Sequence, residues 1–178
     1  MANREALREL QTRLAERMQA ARREQRGQSW LAVECRGHGL LFPLEQAGEI
    51  FPPVALMPVP HTREWFAGVA NLRGGLHGVV DLARFLGLPD ATPADGAREQ
   101  SRLIALSASL GLNCALLVDR LAGLRSSEQM RAEAEGPDAA ASRPVFAGSR
   151  WRDHDDRGWQ ELDLDALSRD GQFLSIVA

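Results

Sequence analysis

The chain has 178 residues, of which 44% are hydrophobic and 25% are charged, so it can bury the core of one domain. This composition excludes a disordered protein, and the formal net charge of −3 argues against a nucleic-acid-binding barrel, which needs a clustered positive surface. No stretch approaches the roughly 20 apolar residues that span a bilayer, and the charged N-terminus lacks the apolar region of a secretory signal. We therefore expect a cytoplasmic protein that does not insert directly into membranes.

The first predicted element is an amphipathic helix over residues 4–23. Residues 1–26 carry seven arginines and four glutamates, a net charge of +3, whereas residues 27–178 carry fourteen arginines and twenty acidic residues, a net charge of −6. The helix could dock on its own acidic domain, bind another protein or lie on a membrane, although it lacks an aromatic membrane anchor. The chain thus divides into an N-terminal helix, residues 1–26, and one domain, residues 27–178. The apolar stripe of the helix consists of Leu7, Leu10, Leu14, Met18 and Ala21.

After Gly27 the hydrophobic period changes from helical to strand-like. Apolar and polar residues alternate over residues 31–36, and Gly37-His38-Gly39 is predicted to turn the chain into a second strand over residues 40–44. So many short strands indicate a closed or nearly closed, mainly β architecture. Two similar strand pairs follow, at residues 102–106 with 113–119 and at residues 145–152 with 159–164.

The stretch from Trp65 to Gly87 predicts a hairpin with a tight turn. Gly74 and Gly75 are the two adjacent glycines that could supply the positive φ angles of a two-residue turn. A turn centred on this pair would place Asn71 across from Gly78. The hairpin prediction therefore includes a specific register.

The hairpin is followed by a predicted short helix with an aspartate N-cap. Asp81 precedes an apolar helical turn, and its carboxylate could accept from the amides of that turn. The same order, a hairpin and then an aspartate before a helical turn, recurs at Asp163. This repetition indicates two halves of similar design.

The hairpin region also carries a family resemblance. Residues 71–74 read Asn-Leu-Arg-Gly and Val80-Asp81-Leu82 follows, which resembles the NLRG segment and subsequent V-x-D-L of CheW-like domains, the adaptors of bacterial chemosensory systems. The resemblance extends over roughly residues 30–176. Further matching segments are Gln46 to Ile50, Pro58-Val59-Pro60, Gly68-Val69-Ala70 and Leu116 to Asp119.

The resemblance implies a fold and a function. CheW-like domains consist of two intertwined five-stranded β-barrels with a hydrophobic core between them, here with short helices after barrel strands. The implied function is that of a non-catalytic adaptor between the cytoplasmic tip of a methyl-accepting chemoreceptor and the regulatory domain of a CheA-type histidine kinase. Such an adaptor would be recruited to membrane-associated receptor arrays.

Two features resemble the PilI subgroup, which serves chemosensory control of type IV pili and twitching motility. They are the long N-terminal helix and the ending WQELDLDALSRDGQFLSIVA. The alternative within the family is a CheW protein of flagellar chemotaxis.

The resemblance also implies which residues contact partners. For Glu49, the alternative to partner contact, equally good, is that it is simply an exposed charge beside a core isoleucine. For Arg73, the alternative is a bidentate bond to a nearby carboxylate or loop carbonyl that holds the hairpin. The residues that match the family at these positions are Glu49, Ile50, Asn71, Leu72, Arg73, Gly74, Val118 and Asp119.

No group of residues predicts catalysis or a bound cofactor. The densest candidate for a metal site is residues 153–156, Asp-His-Asp-Asp, which would support a more remote alternative, a small metal-dependent enzyme. Adjacent positions on a strand point to opposite faces and cannot easily hold one ion, so a solvated turn explains this run better. Cys35 and Cys114 lie in apolar alternation and are predicted to be reduced core thiols.

Overall fold

The computed structural model describes residues 28–89, 97–134 and 143–178. The predicted N-terminal helix, residues 1–26, lies outside the described residues. The strands are β1 (Ser29–Cys35), β2 (His38–Pro43), β3 (Ala47–Phe51), β4 (Phe66–Leu72), β5 (Gly75–Asp81), β6 (Arg102–Leu106), β7 (Cys114–Val118), β8 (Arg120–Ser126), β9 (Arg131–Ala132), β10 (Ala147–Arg152) and β11 (Gly158–Leu162). The helices are α1 (Leu82–Phe85), α2 (Ala97–Gln100), α3 (Leu164–Ser168) and α4 (Gly171–Leu174), and short 3-10 helices span Ala108–Leu110 and Ser127–Gln129.

The strands form two mixed sheets that are interleaved along the chain. Sheet 1 has the order β3-β6-β7-β5-β4, and sheet 2 has the order β8-β1-β2-β11-β10-β9. Strands β5 and β7 are parallel in sheet 1, as are β2 and β11 in sheet 2. Sheet 1 uses consecutive strands, whereas sheet 2 combines β1 and β2 with β8 to β11. The mainly β fold and its intertwined halves are thus as the family resemblance implies.

The two sheets repeat one design. The order β3-β6-β7-β5-β4 corresponds to β8-β1-β2-β11-β10, and β9 is an addition to sheet 2. Strands β5 and β11 are equivalent in this correspondence, and each leads into a helix capped by an aspartate. Asp81 Oδ1 accepts from Arg84 N at 3.0 Å, and Asp163 Oδ1 accepts from the amides of Asp165 and Ala166 at 3.0 and 3.1 Å. The predicted repetition of the aspartate cap is confirmed.

Sheet 1 closes on itself through the segment that follows β3. Strands β3 and β4 are at opposite ends of its strand order, but Met57 pairs with Val69 of β4 through two backbone hydrogen bonds of 2.8 and 2.9 Å. Gly68 makes this approach possible, because its φ is +131° and a Cβ there would lie 2.4 Å from Met57 O. The backbone connects the two ends of the sheet at this point.

The main core contains residues from both sheets and is covered by the short helices. Trp65 stacks on Phe173 of α4 with 6.2 Å between ring centroids, and Phe85 of α1 meets the same ring edge-on at 5.1 Å. Cys35 and Cys114 lie in this core as free thiols, and burial raises the pKa of each to about 12. The prediction that both cysteines lie in the core is confirmed.

A second apolar cluster, on the other face of sheet 2, encloses a carboxylate. Glu161 is 9% exposed and accepts from Gln28 Nε2 at 2.8 Å, Trp30 Nε1 at 3.0 Å and Trp151 Nε1 at 3.2 Å. Gly148 faces the carboxylate, and a Cβ at that position would lie 3.0 Å from Glu161 Cγ. These bonds hold Gln28, where the described chain begins, against β10 and β11.

The predicted register of the β4–β5 hairpin is wrong. The turn is centred on Arg73 and Gly74, with φ angles of 48° and 82°, and Asn71 therefore pairs with Leu76 instead of Gly78. Gly75 is an ordinary strand residue. The register differs by two residues, so every side chain stays on the predicted face of the sheet.

The first hairpin shows the same error in the turn. It was predicted at Gly37-His38-Gly39, whereas Arg36 and Gly37 are the turn residues, with φ angles of 49° and 81°. In both hairpins an arginine adopts the left-handed conformation that glycine would accept more easily. Residue preference alone therefore misplaces both turns.

Candidate functional site

Two of the residues matched to the family form an ion pair on the surface of sheet 1. Glu49 lies within β3, Arg73 lies in the β4–β5 turn, and Arg73 Nη2 is 2.6 Å from Glu49 Oε1. The Glu49 side chain is 39% exposed, and the Arg73 side chain is 76% exposed. Ile50, next to Glu49, is 38% exposed, and Leu76, just after the turn, is 66% exposed. We call these four residues the seam surface: the ion pair joins β3 to the β4–β5 turn, and Ile50 and Leu76 are its exposed apolar neighbours along the chain.

The neighbouring Asn71 and Gly74 shape the turn that presents Arg73. Asn71 Oδ1 accepts from Gly74 N at 2.8 Å, so the amide side chain closes the turn. A Cβ at Gly74 would meet no atom within 4 Å, and the need for glycine there comes from its φ of +82°. These two residues of the motif thus position the arginine.

Leu72 and Val118, two further residues matched to the family, are buried in this conformation. Leu72 is 4% exposed and packs in a cluster with Val79 and Leu103, whereas Val118 is 1% exposed in the main core. Both side chains are apolar and point away from solvent. The prediction that these two residues contact a partner stays a prediction, and any contact with them would need a change from this conformation.

Asp119 is exposed but lies away from the seam surface. Its Oδ2 accepts from Arg36 N, and its own N–H donates to Glu34 O at 2.9 Å, which ties the start of β8 to the first hairpin. Parallel pairing places Leu117 beside Asp81, at the end of β5, whereas Arg73 precedes the start of β5. Since β5 is about 20 Å long, the predicted partner-binding residues divide between two regions.

Sequence reasoning missed the buried ion pairs of Glu34 in sheet 2. Glu34 is 6% exposed and bonds to Arg120 through Nη2 at 2.6 Å and Nε at 2.8 Å, and to Arg157 Nη1 at 2.6 Å. The guanidinium of Arg157 lies over the ring of Trp159 at 4.7 Å. Arg120 is 86 positions from Glu34 in the chain, so no local pattern could have indicated the contact.

The acidic run at residues 153–156 forms a turn that bonds to itself. Asp153 Oδ1 accepts from the amides of Asp155 and Arg157, and its Oδ2 accepts from Trp159 Nε1 at 2.9 Å. Desolvation raises the pKa of Asp153, but the bonds from Trp159, Arg157 and Asp155 outweigh it and hold the pKa below its ordinary value. Within the described ranges no cluster of three or more His, Cys, Asp or Glu side chains has the geometry of a metal site.

Comparisons with known proteins agree with this architecture. Residues 29–172 match the CheW-like domain family. Protein PilI of Pseudomonas aeruginosa is 29% identical over 158 residues, which cover 84% of this chain and 82% of that protein. The crystal structure of the scaffolding protein TtCheW from Thermoanaerobacter tengcongensis has a TM-score of 0.61 at 18% identity, covering 77% of this chain and 89% of that chain.

None of the helices in the described part of the chain combines the length and apolar character needed to cross a bilayer.

The family match spans most of the sequence, includes the Asn-Leu-Arg-Gly turn and ends within α4. The chain belongs to the CheW-like domain family.

Proposed function

We propose that this protein is a non-catalytic adaptor that couples the cytoplasmic tip of a methyl-accepting chemoreceptor to the regulatory domain of a CheA-type histidine kinase. The similarity to PilI supports a place in chemosensory control of type IV pili and twitching motility. The protein would act in the cytoplasm at membrane-associated receptor arrays, without binding nucleic acid or entering the bilayer. The observation that carries the proposal is the exposed ion pair of Glu49 and Arg73 within the family-matched segment.

The seam surface has the composition of a small protein contact. Two exposed apolar residues lie close to the ion pair along the chain: Ile50 follows Glu49 on β3, and Leu76 is the second residue of β5, just after the turn that carries Arg73. A partner that covers the leucine and isoleucine would also remove water from the ion pair, which strengthens its electrostatic interactions. Charges at such a site set specificity and register more than total affinity.

The adaptor needs no chemistry of its own to transmit a signal. A receptor changes kinase activity through this protein if the adaptor contacts differ between two receptor states. The rigid turn built by Asn71 and Gly74 would keep Arg73 in place during such a change. Phosphate transfer stays with the kinase.

Charge exchange tests whether the seam surface binds a partner. We would compare Glu49→Arg, Arg73→Glu and the double variant with wild type, measuring affinity for the kinase regulatory domain and for a receptor-tip fragment by calorimetry. Each single variant should bind at least one partner at least tenfold more weakly, a loss of about 1.4 kcal/mol. The double variant can rebuild the ion pair within the chain, but it presents both charges at exchanged positions, so binding should stay weak.

The matched control is another exposed ion pair. Arg169 Nη2 lies 2.8 Å from Asp165 Oδ1, and the side chains are 76% and 37% exposed, close to the values for Arg73 and Glu49. Arg169→Glu should leave both affinities unchanged. Restored binding in the double Glu49/Arg73 variant would mean that the pair only holds the sheet closed. A wild-type protein that binds neither partner would overturn the adaptor function itself.

A further inference from the structure

The point where residues 1–27 join the domain is held from two sides. Gln28 Nε2 donates to the buried Glu161, and Gln28 O accepts from Ser127 N at 2.8 Å. Ser29 O accepts from Leu44 N at 3.0 Å. The preceding segment therefore leaves sheet 2 at a defined place, between the end of β2 and the end of β8.

Two exposed leucines lie beside this point on one face of sheet 2. Leu31 pairs with Phe42 on one side and with Leu124 on the other, so these three side chains share a face. Leu44 follows the last residue of β2, two residues beyond Phe42, and its N–H bond to Ser29 O extends the pairing of β2 with β1 to this position. Leu44 is 44% exposed and Leu124 is 62% exposed, whereas Leu31 and Phe42 are in the main core. The apolar face of sheet 2 is therefore buried at Leu31 and Phe42 but exposed to solvent at Leu44 and Leu124, near the point where residues 1–27 join the domain.

Two acidic residues lie next to the leucines and the entry point. Glu45 follows Leu44, and Glu128 follows Ser127, whose amide bonds to Gln28. Both glutamates are exposed, and neither has an ion pair with another residue of the described ranges. We call Leu44, Leu124, Glu45 and Glu128 the entry patch.

The preceding segment complements the entry patch in charge and in apolar pattern. Residues 22–26 read Arg-Arg-Glu-Gln-Arg, so three arginines lie just before the entry point. The apolar stripe over residues 7–21 recurs at helical spacing. The helix that this spacing predicts would gain most of its stability from burying the stripe against a surface.

We propose that residues 1–26 fold back and pack their apolar stripe on the entry patch of their own domain. Arginines of residues 22–26 then lie beside Glu45 and Glu128, and Gly27 provides the change of direction. A segment attached at Gln28 has an effective concentration at the patch in the millimolar range. A separate protein of similar chemistry must exceed this concentration to compete.

Hydrogen exchange of the full-length protein, read by mass spectrometry, tests the proposal. In wild type, amides of residues 4–23 should exchange at least tenfold more slowly than in the Leu44→Ser/Leu124→Ser variant. The control variant, Leu174→Ser/Val177→Ser, changes apolar residues that are 50% and 67% exposed elsewhere on the surface, and it should keep the protection. Amides of β1 and β7, measured in the same experiment, report whether each variant is folded.

Charge reversal and dilution complete the test. Glu45→Arg/Glu128→Arg should also reduce protection, whereas Glu64→Arg, at an exposed glutamate in the segment before β4, should not.

Protection that is unchanged on tenfold dilution supports packing within one chain. Protection that disappears on dilution would assign the patch to a second copy and overturn the proposal. Fast exchange of residues 4–23 in wild type, or equal loss in the test and control variants, would also overturn it.

Discussion

Arg73 and Glu49 come from elements at opposite ends of the strand order of sheet 1, yet Arg73 Nη2 lies 2.6 Å from Glu49 Oε1. A flat sheet would separate them by the width of the intervening strands, spaced at about 4.8 Å. The ion pair therefore crosses the line along which the sheet closes. The backbone pair of Met57 and Val69 joins the same two ends.

The ion pair should contribute little to stability. Both side chains are exposed, and exposed pairs contribute about 0.2–1 kcal/mol. A double-mutant cycle with Glu49→Ala, Arg73→Ala and the double variant, followed by urea unfolding, should give a coupling free energy in that range. A coupling above about 2 kcal/mol would show that the pair holds the barrel closed, with partner binding secondary.

The turn register leads to a prediction for two adjacent glycines. Gly74 has a φ of +82°, a conformation that costs alanine about 1–2 kcal/mol, so Gly74→Ala should lower the free energy of unfolding by that amount. Gly75 has no positive φ, and a Cβ there would lie 3.1 Å from the ring of His77 and 3.5 Å from Leu72 O. Gly75→Ala should therefore cost less. Thermal unfolding of the two variants distinguishes the registers, since the register centred on Gly74 and Gly75 requires equal losses.

The aspartate caps of the two halves should differ in strength. Asp81 accepts one backbone amide, whereas Asp163 accepts two and also accepts from Gln46 Nε2 at 3.1 Å. Replacement of either aspartate by alanine should cost about 0.5–2 kcal/mol, with Asp163→Ala the larger loss. Chemical unfolding would measure both, and unchanged midpoints for both variants would refute the capping argument.

Gln46 extends the Asp163 cap across the chain. Its Oε1 accepts from Leu164 N at 2.7 Å, and its backbone oxygen accepts from Ser107 N at 2.9 Å. This residue lies in the crossover from β2 to β3, so it connects the helix after β11 to sheet 1. Gln46→Ala in combination with Asp163→Ala should lose less than the sum of the single losses, because both side chains act on one helix terminus.

Local residue patterns predicted the helices and strands. They did not predict the contacts between segments that are distant in the sequence. The aspartate before each helical turn correctly predicted a capped helix, and the alternation around Leu31 correctly predicted a strand. The hairpin at Arg73 was misplaced because two adjacent glycines satisfy turn preference better than Arg-Gly, and the bond from Asn71 that decides the register is a side-chain contact. That the two halves are intertwined was available only through the family resemblance, and the order of strands in sheet 2 was not predicted.

The same distinction holds for the candidate site. The motif pointed to Glu49 and Arg73, but their meeting depends on how sheet 1 curls, which no local pattern specifies. The continuous apolar run of β7, which ends at Val118, could have indicated that Val118 is buried. Partner contacts of the exposed residues stay a prediction.

The last prediction concerns alkaline pH and the two buried thiols. The pKa of Cys35 and of Cys114 is raised by burial from 9.0 to about 12, so the folded protein keeps both protonated where the unfolded chain ionises them. The unfolded chain then binds fewer protons than the folded one, and stability falls as pH rises. This contribution is fully present below pH 9 and is lost progressively as the pH approaches 12.

Few side chains of this protein titrate at alkaline pH, because the chain contains no lysine and no tyrosine. Lysine and tyrosine are the other residue types that ordinarily titrate between about pH 9 and 12, so the change in stability over this range reports the two thiols. At pH 10 the loss should be about 1.4 kcal/mol for each cysteine. Urea unfolding of wild type and of Cys35→Ala/Cys114→Ala at pH 7 to 10.5 measures it. The double variant should lose much less stability over this range, and parallel pH profiles for the two proteins would contradict the assignment to the thiols.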